Sequence, residues 1–309
     1  MDITLMPYAF FEGNMVPHED AKVSIATHAL QYGTGAFAGI RGYQDKSGSA
    51  INIFRLPDHV RRLLQSAQML RAELPYGPDD VEQIIIDLVK KNAPNHNVYI
   101  RPLVYKAGIV LSPALTGIRD DLAIYVIPLD DYVDMSAPLK LMVSSWQRIE
   151  DNIIPSRGKF SGGYINSAFA KDQAAEAGCH DAIMLNREGK VSEGSGANLF
   201  LVRNGTLITS PVTADILEGI TRRSLVEFAR DQGVPVEERA IDRSELYVAD
   251  EVFLSGTGVQ IAAVGTIDGR TVGGGERGPI TEMLQNLYFS IVRGEDTPYS
   301  HYITSIPIE

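Results

Sequence analysis

Two early stretches of this 309-residue chain carry apolar residues at helical spacing. Val60, Leu63, Leu64, Ala67 and Leu70 line one face of a helix predicted from about Pro57. Val81, Ile84, Ile85, Leu88 and Val89 line one face of a second. The flanking pattern is strand-like, at Ala50–Phe54 before the first helix and at 98–105 and 122–128 after the second. The charged run Leu129-Asp130-Asp131-Tyr132-Val133-Asp134 breaks this pattern and reads as a connection. It predicts a first domain over 1–128, an interdomain loop over 129–135 and a second domain over 136–309.

Beyond the connection, strands are predicted at 139–145 and 181–186, the latter followed by a turn at 187–190. Residues 198–202 and 206–209 form a predicted hairpin, because the Asn204-Gly205 pair between them suits a tight turn with positive φ at both central positions. Helices are expected at 164–177, 221–232 and 279–293. Strand runs without regular alternation with helices place the chain in the α+β class.

Composition fits this picture, with 44% hydrophobic and 22% charged residues. The net charge of −11 argues against nucleic acid and anionic membrane surfaces as partners. A single cysteine, Cys179, excludes an intrachain disulfide and a cysteine-based metal site, and the six histidines lack ligand spacing, so no metal is expected. Apolar runs such as Ile84-Ile85-Ile86 are far too short to span a bilayer, and Met1-Asp2-Ile3-Thr4 does not begin a secretory signal. A soluble, cytoplasmic protein is expected.

The chemistry lies in segments rich in glycine. Lys159 sits in Gly158-Lys159-Phe160-Ser161-Gly162-Gly163-Tyr164, where small neighbours allow close approach to an amine. Glu193 follows 34 residues later in Ser192-Glu193-Gly194-Ser195-Gly196-Ala197-Asn198-Leu199, where the backbone can pass close to a planar ring. Gly219-Ile220-Thr221 opens a predicted helix, whose N–H groups and dipole favour a phosphate. Ser255-Gly256-Thr257-Gly258 reads as a polar turn after a strand at 251–254. One amine, one carboxylate and two such turns suffice to hold pyridoxal phosphate: a Schiff base, a partner for the pyridinium nitrogen and a phosphate cradle. Alone, each has a plainer reading, as a surface lysine, a turn glutamate, a helix cap and a loop. Arg62 is a phosphate clamp or part of a solvated helix face. Tyr99 and Arg101, two apart in a strand, point to one side of the sheet and either orient a substrate carboxylate or form a packed surface pair. There is no G-x-S-x-G elbow and no P-loop.

Together these segments resemble the fold-type IV pyridoxal-phosphate enzymes, and most closely the branched-chain amino acid aminotransferases. The likeness runs from His28-Ala29-Leu30-Gln31-Tyr32-Gly33-Thr34-Gly35 to Gly269-Arg270. The resemblance implies two α/β domains with the cofactor between them, with Lys159 as the Schiff-base lysine and Glu193 as the partner of the ring nitrogen. It implies Tyr164 on the ring hydroxyl, Leu217 on the ring face, and Arg62, Gly219, Ile220, Thr221, Gly256 and Thr257 around the phosphate. Tyr32, Phe37, Gly39, Tyr99 and Arg101 would shape the substrate pocket, with Leu111, Leu129, Tyr132, Thr257 and Gly258 beside it. The hairpin Ala107-Gly108-Ile109-Val110-Leu111 is apolar, which suits leucine, isoleucine and valine side chains.

Three positions depart from the common family pattern: Ala38 within Phe37-Ala38-Gly39-Ile40-Arg41, Leu129 where many relatives carry tryptophan, and Gly258 in place of alanine. The activity implied is ping-pong transamination of branched-chain L-amino acids with 2-oxoglutarate, in a homodimer or higher homo-oligomer whose subunits share pocket residues near Tyr32 and Leu111. The same fold also serves D-amino acid and (R)-amine transaminases, and a non-catalytic relative would keep the scaffold alone.

Overall fold

Pairing of distant segments divides the chain into two units in the computed structural model, which describes residues 4–129 and 137–308. The first unit comprises Met1–Asp130, Gly158–Gly162 and Phe289–Glu309, and the second Asp131–Arg157 and Gly163–Tyr288. Of the expected connection, Leu129 is described, whereas Tyr132 lies outside the described residues.

The first unit opens with a hairpin of β1 (Tyr8–Phe11) and β2 (Asn14–Pro17). Glu12 and Gly13 between them take φ of 47° and 79°, the positive values that a two-residue hairpin turn needs. There follow α1 (His28–Tyr32), β3 (Gly35–Phe37), β4 (Ile40–Gln44), β5 (Ala50–Phe54), α2 (Leu56–Met69), α3 (Pro78–Asn92), β6 (Val98–Lys106) and β7 (Asp120–Pro128). The sheet runs from the strand Ile303–Pro307 through β5, β4, β6, β7 and β1 to β2. Both β3 and β4 pair with β6, with Phe37 opposite Leu103 and Ile40 opposite Ile100, so the chain breaks at Ala38-Gly39 and resumes on the same partner. Both predicted amphipathic helices form. Val60, Leu63, Ala67, Val81, Ile85 and Leu88 are buried with Ile40, Ile51, Ile53, Ile100, Val104 and Val126. Each such valine, leucine or isoleucine side chain contributes roughly 1.5–3 kcal/mol by leaving water.

The second unit contains β8 (Leu139–Val143), α4 (Tyr164–Glu176), β9 (Asp181–Leu185), β10 (Val191–Gly194), β11 (Asn198–Arg203), β12 (Thr206–Thr209), α5 (Ile220–Asp231), β13 (Val236–Glu238), β14 (Glu251–Gly256), β15 (Gln260–Ile267), β16 (Arg270–Thr271) and most of α6 (Pro279–Val292). Its sheet order is β10, β9, β8, β15, β14, β11, β12, β13, with β16 on β15. The predicted hairpin forms, with Asn204 and Gly205 at φ of 50° and 77°. One expectation is corrected. The strand predicted to end at Leu254 continues through Gly256, because Ser255 and Gly256 pair with Ile261 and Gln260. The turn is therefore only Thr257-Gly258-Val259. The two-sheet arrangement, mostly antiparallel with helices interspersed, is α+β as expected.

Candidate active site

In the first unit, the residues expected around an amine and a substrate converge on the break between β3 and β4. The segment holding Lys159 is fixed by its backbone. Phe37 N–H donates to the Lys159 carbonyl (3.0 Å), Ser161 N–H to the Gly35 carbonyl (2.8 Å), and Gly162 N–H to the Gly33 carbonyl (3.0 Å). Buried Phe160 pairs with Ala36. Gly33, at φ 67°, has its α-carbon so near Gly162 that a Cβ would stand 2.7 Å from the Gly162 Cα, so the close approach needs a glycine.

Lys159 N–H also donates to Ser66 Oγ (3.2 Å), and that hydroxyl donates to the carbonyl of Arg62 one turn earlier on α2 (2.9 Å). Arg62 and the lysine segment are thereby linked through Ser66, a residue that the sequence did not single out. The Lys159 Nζ lies 5.1 Å from the centroid of the Phe37 ring, and the guanidinium carbon of Arg101 lies 4.5 Å from the same centroid. Arg101 donates to the Tyr99 hydroxyl (3.0 Å), confirming that the two share a side of β6. Gly39 lies against Tyr99, where a Cβ would overlap the hydroxyl.

The apolar loop stays near α1. Buried His28 bonds Thr34 Oγ1 (2.7 Å) and the Ser112 carbonyl (2.8 Å), and its ring lies 4.7 Å from that of Tyr32. Leu111 is 94% exposed, with Ile25, Leu30, Tyr32 and Ile109 also exposed. Leu129 is held by its backbone, donating to the Asn97 carbonyl (2.9 Å) and accepting from Arg41 (3.3 Å).

In the second unit, Glu193 on β10 is 4% exposed. A buried carboxylate requires donors. Arg148 meets Oε1 at 2.9 Å, Asn198 Nδ2 donates to Oε2 at 2.8 Å, and Leu217 N–H reaches both oxygens at 3.3 and 3.2 Å. The tight turn from β10 to β11, closed by Gly194 N–H on the Ala197 carbonyl (2.7 Å), sets Asn198 beside Glu193.

Gly219 is the residue before α5 and takes φ −68° and ψ 135°, with Ile220 and Thr221 in the first turn. Thr221 is buried, Leu217 is half-buried, and Tyr164 is the first, half-buried residue of α4. Ser255 is fully buried and its hydroxyl has no hydrogen-bond partner among the described residues. It pairs with Asn198 across β11 and β14, so the two side chains share a sheet face. Gly256, Thr257 and Gly258 follow it, half-buried.

Sequence reasoning missed Arg148 and Asn198. Asn198 stands in the glycine-rich segment with Glu193, where a polar side chain five residues from a buried acid is a signal. Arg148 carries no local signal.

Residues 35–267 match the family model described as amino-transferase class IV. The chain is 44% identical over 304 residues to a probable branched-chain-amino-acid aminotransferase of Synechocystis sp., covering 98% of each protein. It is similar to the crystal structure of the branched-chain aminotransferase from Thermoproteus uzoniensis with norvaline, at 38% identity and a TM-score of 0.93 over 98% of this chain and 100% of that one. It is also similar, at 36% identity and a TM-score of 0.93 over 98% and 99% of the two chains, to the T.th. branched-chain amino acid aminotransferase complexed with N-(5'-phosphopyridoxyl)-L-glutamate.

Proposed function

The chain belongs to the class IV aminotransferases, and from that membership we infer that it is a branched-chain-amino-acid aminotransferase using pyridoxal phosphate. It moves the amino group of leucine, isoleucine or valine to 2-oxoglutarate, yielding a branched-chain 2-oxo acid and L-glutamate in two half-reactions. The relative with norvaline supports an apolar side chain, the relative with 4-methylvaleric acid supports a branched one, and the relative with a phosphopyridoxyl-glutamate supports glutamate as the other partner.

The residues present fit the cofactor. The donor set offers a half-buried amine at Lys159, a buried carboxylate at Glu193, N–H groups at the start of α5 and a buried hydroxyl at Ser255 with no partner among the described residues. When bound, pyridoxal phosphate supplies an aldehyde that condenses with amines and a ring that takes up the electron pair left when the α-proton departs. Lys159 Nζ would hold the cofactor aldehyde and would serve as the base for the proton on the substrate Cα. Glu193 would keep a proton on the ring nitrogen, Tyr164 would hold the ring hydroxyl and Leu217 would pack against the ring. Arg62, Gly219, Ile220, Thr221, Gly256 and Thr257 would hold the phosphate. Arg101 and Tyr99, joined at 3.0 Å, would orient the substrate carboxylate with the Thr257-Gly258 backbone, and Tyr32, Phe37, Gly39, Leu111 and Leu129 would bound its side chain. The observation that carries this reading is the Glu193 carboxylate, buried yet gripped at both oxygens beside the segment leading into α5.

The exposed apolar residues Ile25, Leu30, Ile109 and Leu111 support a homodimer, or a larger assembly built from it, in which a second copy covers them, and the protein is read as cytoplasmic. No described helix is long and apolar enough to cross a membrane.

The test is the absorption spectrum of the purified protein before and after L-leucine. A yellow band that collapses with L-leucine and returns with 2-oxoglutarate supports both half-reactions. A yellow protein unmoved by L-leucine but bleached by D-alanine or an (R)-amine replaces the substrate class, and a protein that stays colourless with added pyridoxal phosphate removes the enzyme reading.

A further inference from the structure

We propose that Arg148 and Asn198 are positioning residues that lock the Glu193 carboxylate to the segment opening α5, so that the partner of the ring nitrogen and the phosphate-binding turn are set by one buried network. This rests on the roles of Glu193 and the Gly219–Thr221 turn inferred above.

Each of the two residues grips one carboxylate oxygen and also reaches the segment that precedes α5. Arg148 meets Glu193 Oε1 (2.9 Å) and donates through Nε to the Asp215 carbonyl (3.3 Å). Asn198 Nδ2 donates both to Glu193 Oε2 (2.8 Å) and to the Leu217 carbonyl (2.9 Å). The neighbouring Ser192 hydroxyl ties the Ala214 carbonyl (2.6 Å), and the Leu217 N–H returns to Glu193. Residues 214–217 are thus pinned at three carbonyls and one N–H by side chains of Ser192, Glu193, Asn198 and Arg148.

The pinning holds a conformation that the chain would not adopt freely. Asp215 takes φ 58°, in the left-handed region that costs a residue with a Cβ, and its carboxylate accepts the Asp151 N–H (3.1 Å). On the far side of Leu217, the Asn198 Oδ1 occupies the space that a Cβ on Gly219 would need. Asn198 therefore touches both ends of the device, the carboxylate through its amide nitrogen and the α5 turn through its amide oxygen. A charged aspartate could not donate to Glu193, and leucine of similar size could donate to nothing.

The test compares binding of pyridoxal phosphate and of pyridoxal, which lacks the phosphate, to the full-length chain freed of cofactor. The ratio of the two affinities measures what the phosphate turn contributes. Glu193→Gln, whose amide cannot accept from both Arg148 and Asn198, is expected to weaken both ligands. Asn198→Leu is expected to weaken both and to lower the ratio by about five-fold or more, the size of a moderate coupling between sites. It should also shift the pH midpoint of the bound cofactor's visible band and lower kcat more than it raises the KM for L-leucine. Arg148→Met should lower the ratio in the same direction, with Arg148→Lys intermediate. Should Asn198→Leu fail to fold, Asn198→Ser is read in its place. A ratio unchanged in the Asn198 and Arg148 variants overturns the lock while leaving the role of Glu193 standing. A Glu193→Gln chain with unaltered spectrum and affinities removes that role itself, and the lock with it.

Discussion

Gly39 and Tyr99 occupy space that only one of them can fill: the Gly39 Cα lies so close to the phenol that any side chain at 39 would overlap its oxygen. The tyrosine ring is rigid beyond its two side-chain torsions, so it must swing away if residue 39 grows. Gly39→Ala is therefore expected to break the 3.0 Å bond between Arg101 and the Tyr99 hydroxyl. Steady-state kinetics should give a KM for L-leucine raised several-fold, by about ten-fold if one charge-assisted bond is lost. The cofactor's absorption band should remain, because Gly39 is distant in role from the groups that hold it.

Lys159 contributes to the fold through its main chain, with its carbonyl accepting from Phe37 and its N–H donating to Ser66. Removing only the side chain should leave those bonds in place. Lys159→Ala is expected to fold with a wild-type circular dichroism spectrum while turnover falls by on the order of 10,000-fold, as expected on loss of a general base. Normal turnover in this variant would take the amine out of the mechanism.

At Gly219 the conflict is with Asn198, whose Oδ1 would meet a new Cβ. Gly219→Ala should cost about 1–3 kcal/mol, the range for overpacking a closed site. Urea denaturation of the cofactor-free protein measures that loss, and the same variant should retain pyridoxal phosphate less well.

Acid stability has an identifiable contributor in the second unit. Hydrogen bonding to Arg239 holds the Glu245 carboxyl down at about 2, against an ordinary value of 4.5, through paired contacts of 2.7 and 2.9 Å. Because the folded value is the lower one, this stabilisation is fully present above about pH 4.5 and is lost as the pH falls toward 2. Glu245→Gln should flatten that part of the stability curve and cost about 1 kcal/mol at neutral pH, a modest figure because Arg239 is partly in solvent. Thermal melts between pH 2 and 7 provide the check.

The elements with strong periodicity were legible in the sequence. Val60, Leu63 and Ala67 announce α2, and Asn204-Gly205 announces its hairpin. The short strands were not, because β3 and β4 owe their existence to a shared partner, β6, rather than to any pattern of their own. Ile303–Pro307 is likewise fixed by pairing with β5, a partner so remote along the chain that no local window can register it. Lys159, Glu193 and the turn before α5 were visible because glycine-rich segments mark close approach. Arg148 was invisible for the opposite reason: an arginine in an irregular loop has meaning only through the carboxylate that it meets.

The pairing of Ile303–Pro307 with β5 also sets a timetable for biosynthesis. While the ribosome is still translating, the β5 edge has no partner on that side until Pro307 has cleared the exit tunnel, although β5 itself emerged long before. Segments from 163 to 288 have all been made by then and can begin to fold first. The nascent protein thus carries an open sheet edge until that strand emerges, and a polypeptide lacking Ile303–Pro307 would keep that edge available to other chains.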